Sequence, residues 1–404
     1  MHGRHIAIFP LTGTSHIYPF LGLCPELVRR GYRVTLVVTN ESHAKLVLAA
    51  GAEPVIVEKW SDTSVNMAGR AVDGWPAHDP RWLELVGGVV YPWMLHYAAL
   101  TVWQLDKFYK DNRPDLIIYE FGAYAGRILA KRLHLPAVQY YYDIIHHNGR
   151  HCWGDGVIGY SSETIDRFSK LLDSFLWAYG FEETSSFWHI EDLNLCPFPR
   201  IFQIDSDSID SRRFCFVGPF LDRPFVPAWE NRSDGRCIVL VSAISGSADD
   251  NYFNTIIDAL SGSEYHVILS VGEHFPTGKL RPLPVNFEIN RYASHLEILP
   301  HADLHLYSGG IMGTLEGFYF GVPLIAVPTF IGNYQIAKRL AELGFALNLP
   351  LHTMTSQMIR ENVERVLKDD VLLGRVKQMQ HAVRSSGGST TAVDIIEGFL
   401  AERA

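Results

Sequence analysis

The turn Ser308-Gly309-Gly310-Ile311-Met312-Gly313-Thr314 holds the residues of this chain best suited to chemistry. It follows an apolar strand, Leu304 to Tyr307, and feeds a helix carrying Leu315, Glu316 and Phe318. Gly321-Val322-Pro323 ends that helix, since glycine supplies the C-terminal turn and proline cannot continue it. Three glycines admit a ligand close to the backbone, and the unpaired N–H groups at the positive end of the helix make an anion site. The same kind of turn also serves as a packing corner between strand and helix. Glu316, one turn into the helix, is useful beside a phosphate only as an acceptor from sugar hydroxyls, and otherwise reads as a solvated acid compensating the dipole. His16 lies in the segment after the first strand, and Glu120 closes the fourth. An isolated loop histidine is more often structural, and a strand-end acid often simply faces water.

The elements that position these residues alternate regularly. His5 to Leu11 reads as a buried strand, Thr12 to Pro19 as a loop, and Phe20 to Arg30 as a helix ended by Gly31. Strand Arg33 to Val38, helix Glu41 to Ala50, strand Pro54 to Val57, strand Asp115 to Tyr119 and strand Ala137 to Tyr142 follow. Strands and helices at this spacing predict a doubly wound parallel sheet, with ligands beyond the carboxyl ends of its strands. A polar stretch over 219–235, rich in Pro, Asp, Arg and Gly, reads as a linker. Beyond it, strands at Cys237 to Ala243, His266 to Val271, Asn286 to Asn290, Leu304 to Tyr307 and Leu324 to Val327 predict a second sheet. The expected division is therefore 1–218, 236–380 and a closing segment 381–404.

Composition excludes several classes. A length of 404 residues suits two domains, and 47% hydrophobic with 20% charged residues describes a packed globular chain. A net charge of −9 without a basic run argues against nucleic acid as a partner. No secretory leader precedes His5, so the expected location is cytoplasmic. Segment Leu83 to Leu105 is apolar, but Glu84, Pro92, His96 and Gly87-Gly88 interrupt it, which predicts a buried helix pair and no membrane span. Cys24, Cys152, Cys196, Cys215 and Cys237 are odd in number and widely spaced, as expected of reduced thiols. The loop histidines His146, His147 and His151 lack the i, i+4 spacing of a helical metal pair, and no metal is expected. Asp205-Ser206-Asp207 resembles a cation-binding DxD, but lies in a polar connector.

The run Ser308-Gly-Gly-Ile-Met-Gly-Thr-Leu-Glu316-Gly, then Gly321-Val-Pro, Pro328, Asn333, Ala337-Lys-Arg and Glu342-Leu-Gly, resembles the donor signature of family-one glycosyltransferases. The likeness is greatest to the bacterial macrolide and antibiotic members. Segments His5 to Phe9, Asp115 to Tyr119, Phe216 to Pro219 and His266 to Gly272 extend it over nearly the whole chain. The resemblance implies a GT-B fold, α/β, with two Rossmann-like doubly wound domains facing across a cleft. It implies that His16, in Ser15-His-Ile-Tyr-Pro19, is the general base, worth roughly 100- to 10,000-fold in rate, and that Glu120 stabilises it. Glu120 stands where the family usually has Asp, one methylene shorter. Donor contacts would come from Ser245, Tyr292, Ala293, Ser308, Gly309, Gly310, Gly313, Thr314, Glu316 and Asn333. Acceptor contacts would come from an aromatic cluster that includes Trp75, Trp93, Tyr140 and Tyr141, whose flat faces suit an apolar ring-containing molecule. The expected partners are a nucleotide sugar, as co-substrate and not cofactor, and a hydrophobic small-molecule acceptor. A homodimer is compatible with the sequence, which fixes neither oligomeric state nor acceptor.

The donor signature also departs from the family. Ser308 replaces a diphosphate-binding histidine, Gly313 a hydroxyl residue, Tyr292 a base-stacking tryptophan, and Gly332-Asn333 the acidic residue and glutamine that hold the sugar. Each lost hydrogen bond to a charged group removes roughly 1.5–3 kcal/mol. These losses point to an unusual donor with fewer hydroxyls, such as a deoxysugar. They also keep open a nucleotide-sugar-binding homologue acting as an accessory protein. A nucleotide-sugar epimerase of the same fold is a third reading, and would leave the aromatic cluster without a role.

Overall fold

The computed structural model describes residues 3–58, 91–142, 144–145, 162–182, 189–223, 229–243, 250–272, 275–291, 294–329 and 331–403. In chain order they form β1 (His5–Phe9), α1 (Thr14–Arg29), β2 (Arg33–Val38), α2 (Glu41–Ala49), β3 (Glu53–Ile56), α3 (Tyr91–Asp111), β4 (Leu116–Glu120), α4 (Tyr124–Arg132), β5 (Ala137–Tyr140), α5 (Ser162–Trp177), β6 (Leu193–Cys196) and β7 (Phe214–Phe216). There follow β8 (Ile238–Ser242), α6 (Asp250–Leu260), β9 (His266–Ser270), β10 (Phe287–Asn290), α7 (His295–Ile298), β11 (Leu304–Tyr307), α8 (Ile311–Phe320), β12 (Leu324–Ala326), α9 (Ile331–Glu342), β13 (Ala346–Asn348), α10 (Ser356–Lys368), α11 (Asp370–Ser385) and α12 (Gly388–Ala401). Among the described residues, 229–385 form one compact unit, and 3–223 with 386–403 form the other.

The first unit is built on a seven-stranded sheet in the order β3-β2-β1-β4-β5-β6-β7, every pair parallel. Parallel strands are covered on both faces, which is why they read as unbroken apolar runs. Successive side chains nevertheless alternate. Ile6 and Ile8 of β1, with Leu116 and Ile118 of β4, pack against Ile17, Phe20, Leu21 and Leu27 of α1. Ala7, Phe9, Ile117 and Tyr119 enter the opposite layer with Leu95 and Val102 of α3 and Ile128 of α4. A fully enclosed Ile, Leu or Phe contributes about 1.5–3 kcal/mol each. This parity also fixes the direction of Glu120, which follows Leu116 and Ile118 onto the α1 side.

Helix α12 completes the first unit. Its Ala392, Val393, Ile396 and Leu400 lie in the same core as α1. Arg30 at the end of α1 reaches Glu397 Oε2 and Asp394 Oδ1, each at 2.6 Å. Ser389 Oγ donates to Gly22 O at 2.9 Å, and Gly388 N to Val217 O at 2.7 Å.

The second unit carries six parallel strands in the order β10-β9-β8-β11-β12-β13. In each sheet the strand order reverses at one place, between β1 and β4 and between β8 and β11. Ligands of open α/β sheets bind at the carboxyl edge of that switch point.

Several sequence expectations need correction. The segment 12–19 is not a loop: α1 begins at Thr14 and runs through Pro19 and Pro25. The helix therefore starts six residues earlier than expected, at Thr14 and not at Phe20. The helix after the glycine turn likewise starts earlier, at Ile311, so Gly313 and Thr314 belong to its first turn. Strands β6 (Leu193–Cys196) and β13 (Ala346–Asn348) each carry an asparagine and do not read as apolar runs. Helix α3 covers the end of the 83–105 segment, and residues 83–90 lie outside the described residues. No helix among the described residues is long and apolar enough to cross a membrane.

Candidate active site

In the first unit, Gly13 is the N-cap of α1, and its carbonyl accepts from His16 N at 3.2 Å. His16 therefore stands in the opening turn of a helix at the end of β1, next to the last residue of β4. Its Nδ1 lies 2.5 Å from Glu120 Oε1, while Glu120 Oε2 accepts from Leu11 N at 2.8 Å. The glutamate is fully enclosed, whereas the histidine side chain is 25% exposed. Burial alone would depress the imidazole pKa, but the Glu120 charge and hydrogen bond outweigh it, so the pKa is raised above 6.5. The Tyr142 ring lies against His16 with centroids 4.5 Å apart. The extra methylene of Glu120 is taken up without loss of contact.

Beside this pair, Thr14 Oγ1 meets His43 Nε2 at 3.1 Å, and His43 Nδ1 faces Asn40 Nδ2 at 3.0 Å. Asn40 also caps α2 by accepting from His43 N at 2.8 Å. This chain ties α2 to the turn that carries His16. Nothing in the spacing of residues 14, 40 and 43 announced it.

In the second unit, β11 leads through Ser308-Gly309-Gly310 into α8. Gly309 has φ +78°, and a Cβ there would meet Asn333 O at 3.2 Å, so both torsion and space require glycine. Gly310 is the N-cap of α8 and supplies no side-chain cap. The N–H groups of Ile311, Met312 and Gly313 thus form the open positive end of a ten-residue helix. His305 and Tyr307 share one face of β11 and fill the space beneath this turn. A Cβ on Gly313 would lie 3.0 Å from Tyr307 Cδ2 and 3.5 Å from His305 Cε1. A side chain at position 313 would therefore crowd the ring beneath it.

The remaining donor residues divide. Thr314 is wholly enclosed: its Oγ1 donates to Gly310 O at 3.0 Å and meets Tyr307 OH at 2.6 Å. Asn333 Nδ2 donates to Ser308 O at 2.7 Å, and both residues are buried. Thr314 Oγ1 and Asn333 Nδ2 thus brace the turn through the backbone they support. Glu316 is buried, with His295 Nδ1 3.6 Å from its Oε2. Ser245, Tyr292 and Ala293 lie outside the described residues.

The acceptor expectations fare differently. Tyr140 and Tyr141 are 0% and 2% exposed, packed on Phe20 and Phe220 and on Phe121 and Phe214. They are core residues and not a pocket lining, because they sit at the covered end of a central strand. Trp93 is half-buried and stacked on Tyr97 at 5.7 Å, and Trp75 lies outside the described residues. Asp205 and Asp207 are exposed, and the described residues hold no cluster able to bind a metal ion. Burial pushes the Cys24 thiol up to about 12, so it is an inert packing residue.

Two doubly wound parallel sheets, one ending in a His–Glu pair and the other in a glycine turn opening a helix, define a GT-B glycosyltransferase. The solved structure of CalG4, the calicheamicin glycosyltransferase, is similar over 100% of both chains with 29% identity and a TM-score of 0.78. Residues 254–397 match the family model of the C-terminal domain of erythromycin biosynthesis protein CIII-like proteins. NDP-glycosyltransferase YjiC of Bacillus subtilis is 32% identical over 409 residues, covering 100% of this chain and 99% of that protein. Oleandomycin glycosyltransferase of Streptomyces antibioticus is 27% identical, covering 99% and 91%. The chain belongs to the bacterial macrolide and antibiotic glycosyltransferases of the GT-B fold.

Proposed function

We propose that this glycosyltransferase moves a sugar from a UDP- or dTDP-linked donor to a hydroxyl of an apolar natural product, such as a macrolide or aromatic polyketide, with inversion at the anomeric carbon. The observation that carries the reading is the 2.5 Å contact between His16 and Glu120 at the switch point of the first sheet. With Nδ1 held by the carboxylate, Nε2 is the nitrogen offered to the acceptor. It takes the hydroxyl proton as the oxygen forms its bond to the anomeric carbon, and the nearby carboxylate stabilises the imidazolium. The bond to the nucleoside diphosphate breaks on the opposite face of the sugar, which gives inversion. The departing diphosphate is stabilised by the N–H groups that open α8 and by the dipole of that helix, worth about half a positive charge, so the reading needs no metal.

A deoxysugar donor fits the second unit best. The Asn333 amide nitrogen is taken by the Ser308 carbonyl and Thr314 is enclosed, so neither Nδ2 nor Oγ1 is offered to a hydroxyl-rich hexose. The test is a mass-spectrometric screen of UDP-glucose and dTDP-deoxysugars against hydroxylated polyketides, with the anomeric configuration of any product read by NMR. Product with a dTDP-deoxysugar, lost in His16→Ala, is the expected result; better turnover of glucose would overturn the donor assignment. Ser308 in place of a diphosphate-binding histidine favours a second reading, a nucleotide-sugar-binding accessory protein. Donor binding without product in any pairing would establish that one instead.

A further inference from the structure

Glu316 and His295 come from separate elements of the second unit. Glu316 is on α8 with a side chain only 4% exposed, and a carboxylate so enclosed needs a partner for its charge. His295 is the first residue of α7, where Ser294 Oγ accepts from Leu296 N at 3.2 Å and fixes the start of the helix. One ring nitrogen of His295, Nε2, lies 3.0 Å from Ser270 Oγ at the end of β9. The other, Nδ1, stands 3.6 Å from Glu316 Oε2, within ion-pair range. His305 meets the His295 ring edge-on with centroids 5.7 Å apart. Burial, reinforced by His295, lowers the His305 pKa to about 3, so His305 is neutral and brings no charge to the carboxylate. Among the described residues, His295 is a histidine within ion-pair distance of Glu316.

We infer that His295 is a positioning residue for donor recognition: anchored by Ser270, it fixes the Glu316 carboxylate for the ribose hydroxyls of the donor nucleoside. The inference rests on the reading of the α8 turn as the diphosphate site. A carboxylate held in one orientation before the ligand arrives loses less freedom on binding than one that swings, and the difference appears as affinity. The His295 side chain is 26% exposed while that of Glu316 is nearly enclosed, so the pair lies at the surface end of the network and not in the core.

The experiment measures UDP and dTDP binding to the full chain by calorimetry, together with donor KM and kcat. His295→Ala is expected to weaken nucleotide binding about tenfold, the loss of one charge-assisted contact, and to raise KM by a larger factor than it lowers kcat. His295→Gln, which keeps an N–H for the carboxylate, is expected to restore most of the affinity, and Ser270→Ala to weaken it about threefold. In a Glu316→Gln background, His295→Ala is expected to add less than about twofold, because the two side chains act as one unit. Unchanged nucleotide affinity in His295→Ala overturns the inference. So does an effect that persists in full without Glu316, or one that follows a fall in Tm and is not rescued by Gln. If the unsubstituted chain binds neither UDP nor dTDP, the diphosphate reading of α8 fails and the inference falls with it. If the unsubstituted chain binds and His295→Ala is silent, only the role of His295 is lost.

Discussion

Both carboxylate oxygens of Glu120 are engaged, Oε1 by His16 Nδ1 at 2.5 Å and Oε2 by the N–H of Leu11 at 2.8 Å, so the imidazole is held by a group that cannot itself swing away. His16→Ala removes the proposed base and is expected to lower kcat/KM by roughly 100- to 10,000-fold. Glu120→Gln preserves shape and the Leu11 contact but removes the charge, and is expected to give a smaller loss. Steady-state kinetics with the best donor and acceptor pair decide this, and full activity in either variant counts against the assignment.

The pH profile follows from the same contact. His16 must be neutral to accept a proton, and its pKa is raised above 6.5 by Glu120 against the opposing effect of burial. The acid limb of kcat/KM is therefore expected to be centred above 6.5, and Glu120→Gln to move it down. The sign for stability is the reverse. A folded-state pKa above the unfolded one adds stability that is complete below the unfolded pKa and is lost as pH rises through the folded value. The gap in unfolding free energy between the unsubstituted chain and Glu120→Gln should thus narrow as pH is raised through that range, as measured by urea titration.

Gly313 is expected to resist every side chain. Gly313→Ser would bring Cβ within 3.0 Å of the Tyr307 ring, overpacking that should destabilise by about 1–3 kcal/mol. Tyr307→Leu in the same chain should recover part of this. Thermal denaturation reads both, and a Gly313→Ser variant as stable as its parent would show that the ring yields.

Thr314→Val keeps volume and deletes the hydroxyl that joins Gly310 O to Tyr307 OH. The enclosed Tyr307 hydroxyl loses its partner, while Gly310 O keeps the N–H of residue 314, at a cost of about 1–3 kcal/mol. The midpoint of urea unfolding should fall with the slope unchanged. Adding Tyr307→Phe should be nearly neutral, since its hydroxyl has by then nothing to bond.

Much of this was legible in the sequence because it is local. Apolar runs separated by helix-length segments give a parallel sheet, and the glycine turn after Leu304–Tyr307 marks a helix start. The distant pairings were not legible. β11 places a tyrosine hydroxyl beneath Thr314, and α9 turns the Asn333 amide nitrogen to Ser308 O, pairings that no local pattern announces. Tyr140 and Tyr141 share their composition with a pocket wall, and only their place at a covered strand end makes them core. His295 and Glu316 stand 21 residues apart, a separation that no periodicity links.

The return of α12 to the first unit bears on engineering. Arg30, Gly22 and Val217 all bind residues that come after the second unit in the chain. A hybrid that joins the front of this enzyme to the whole rear of a relative would give it a foreign closing helix against its own α1. Exchange of the second unit therefore calls for two splice points, with the native stretch from residue 386 onward sewn back on.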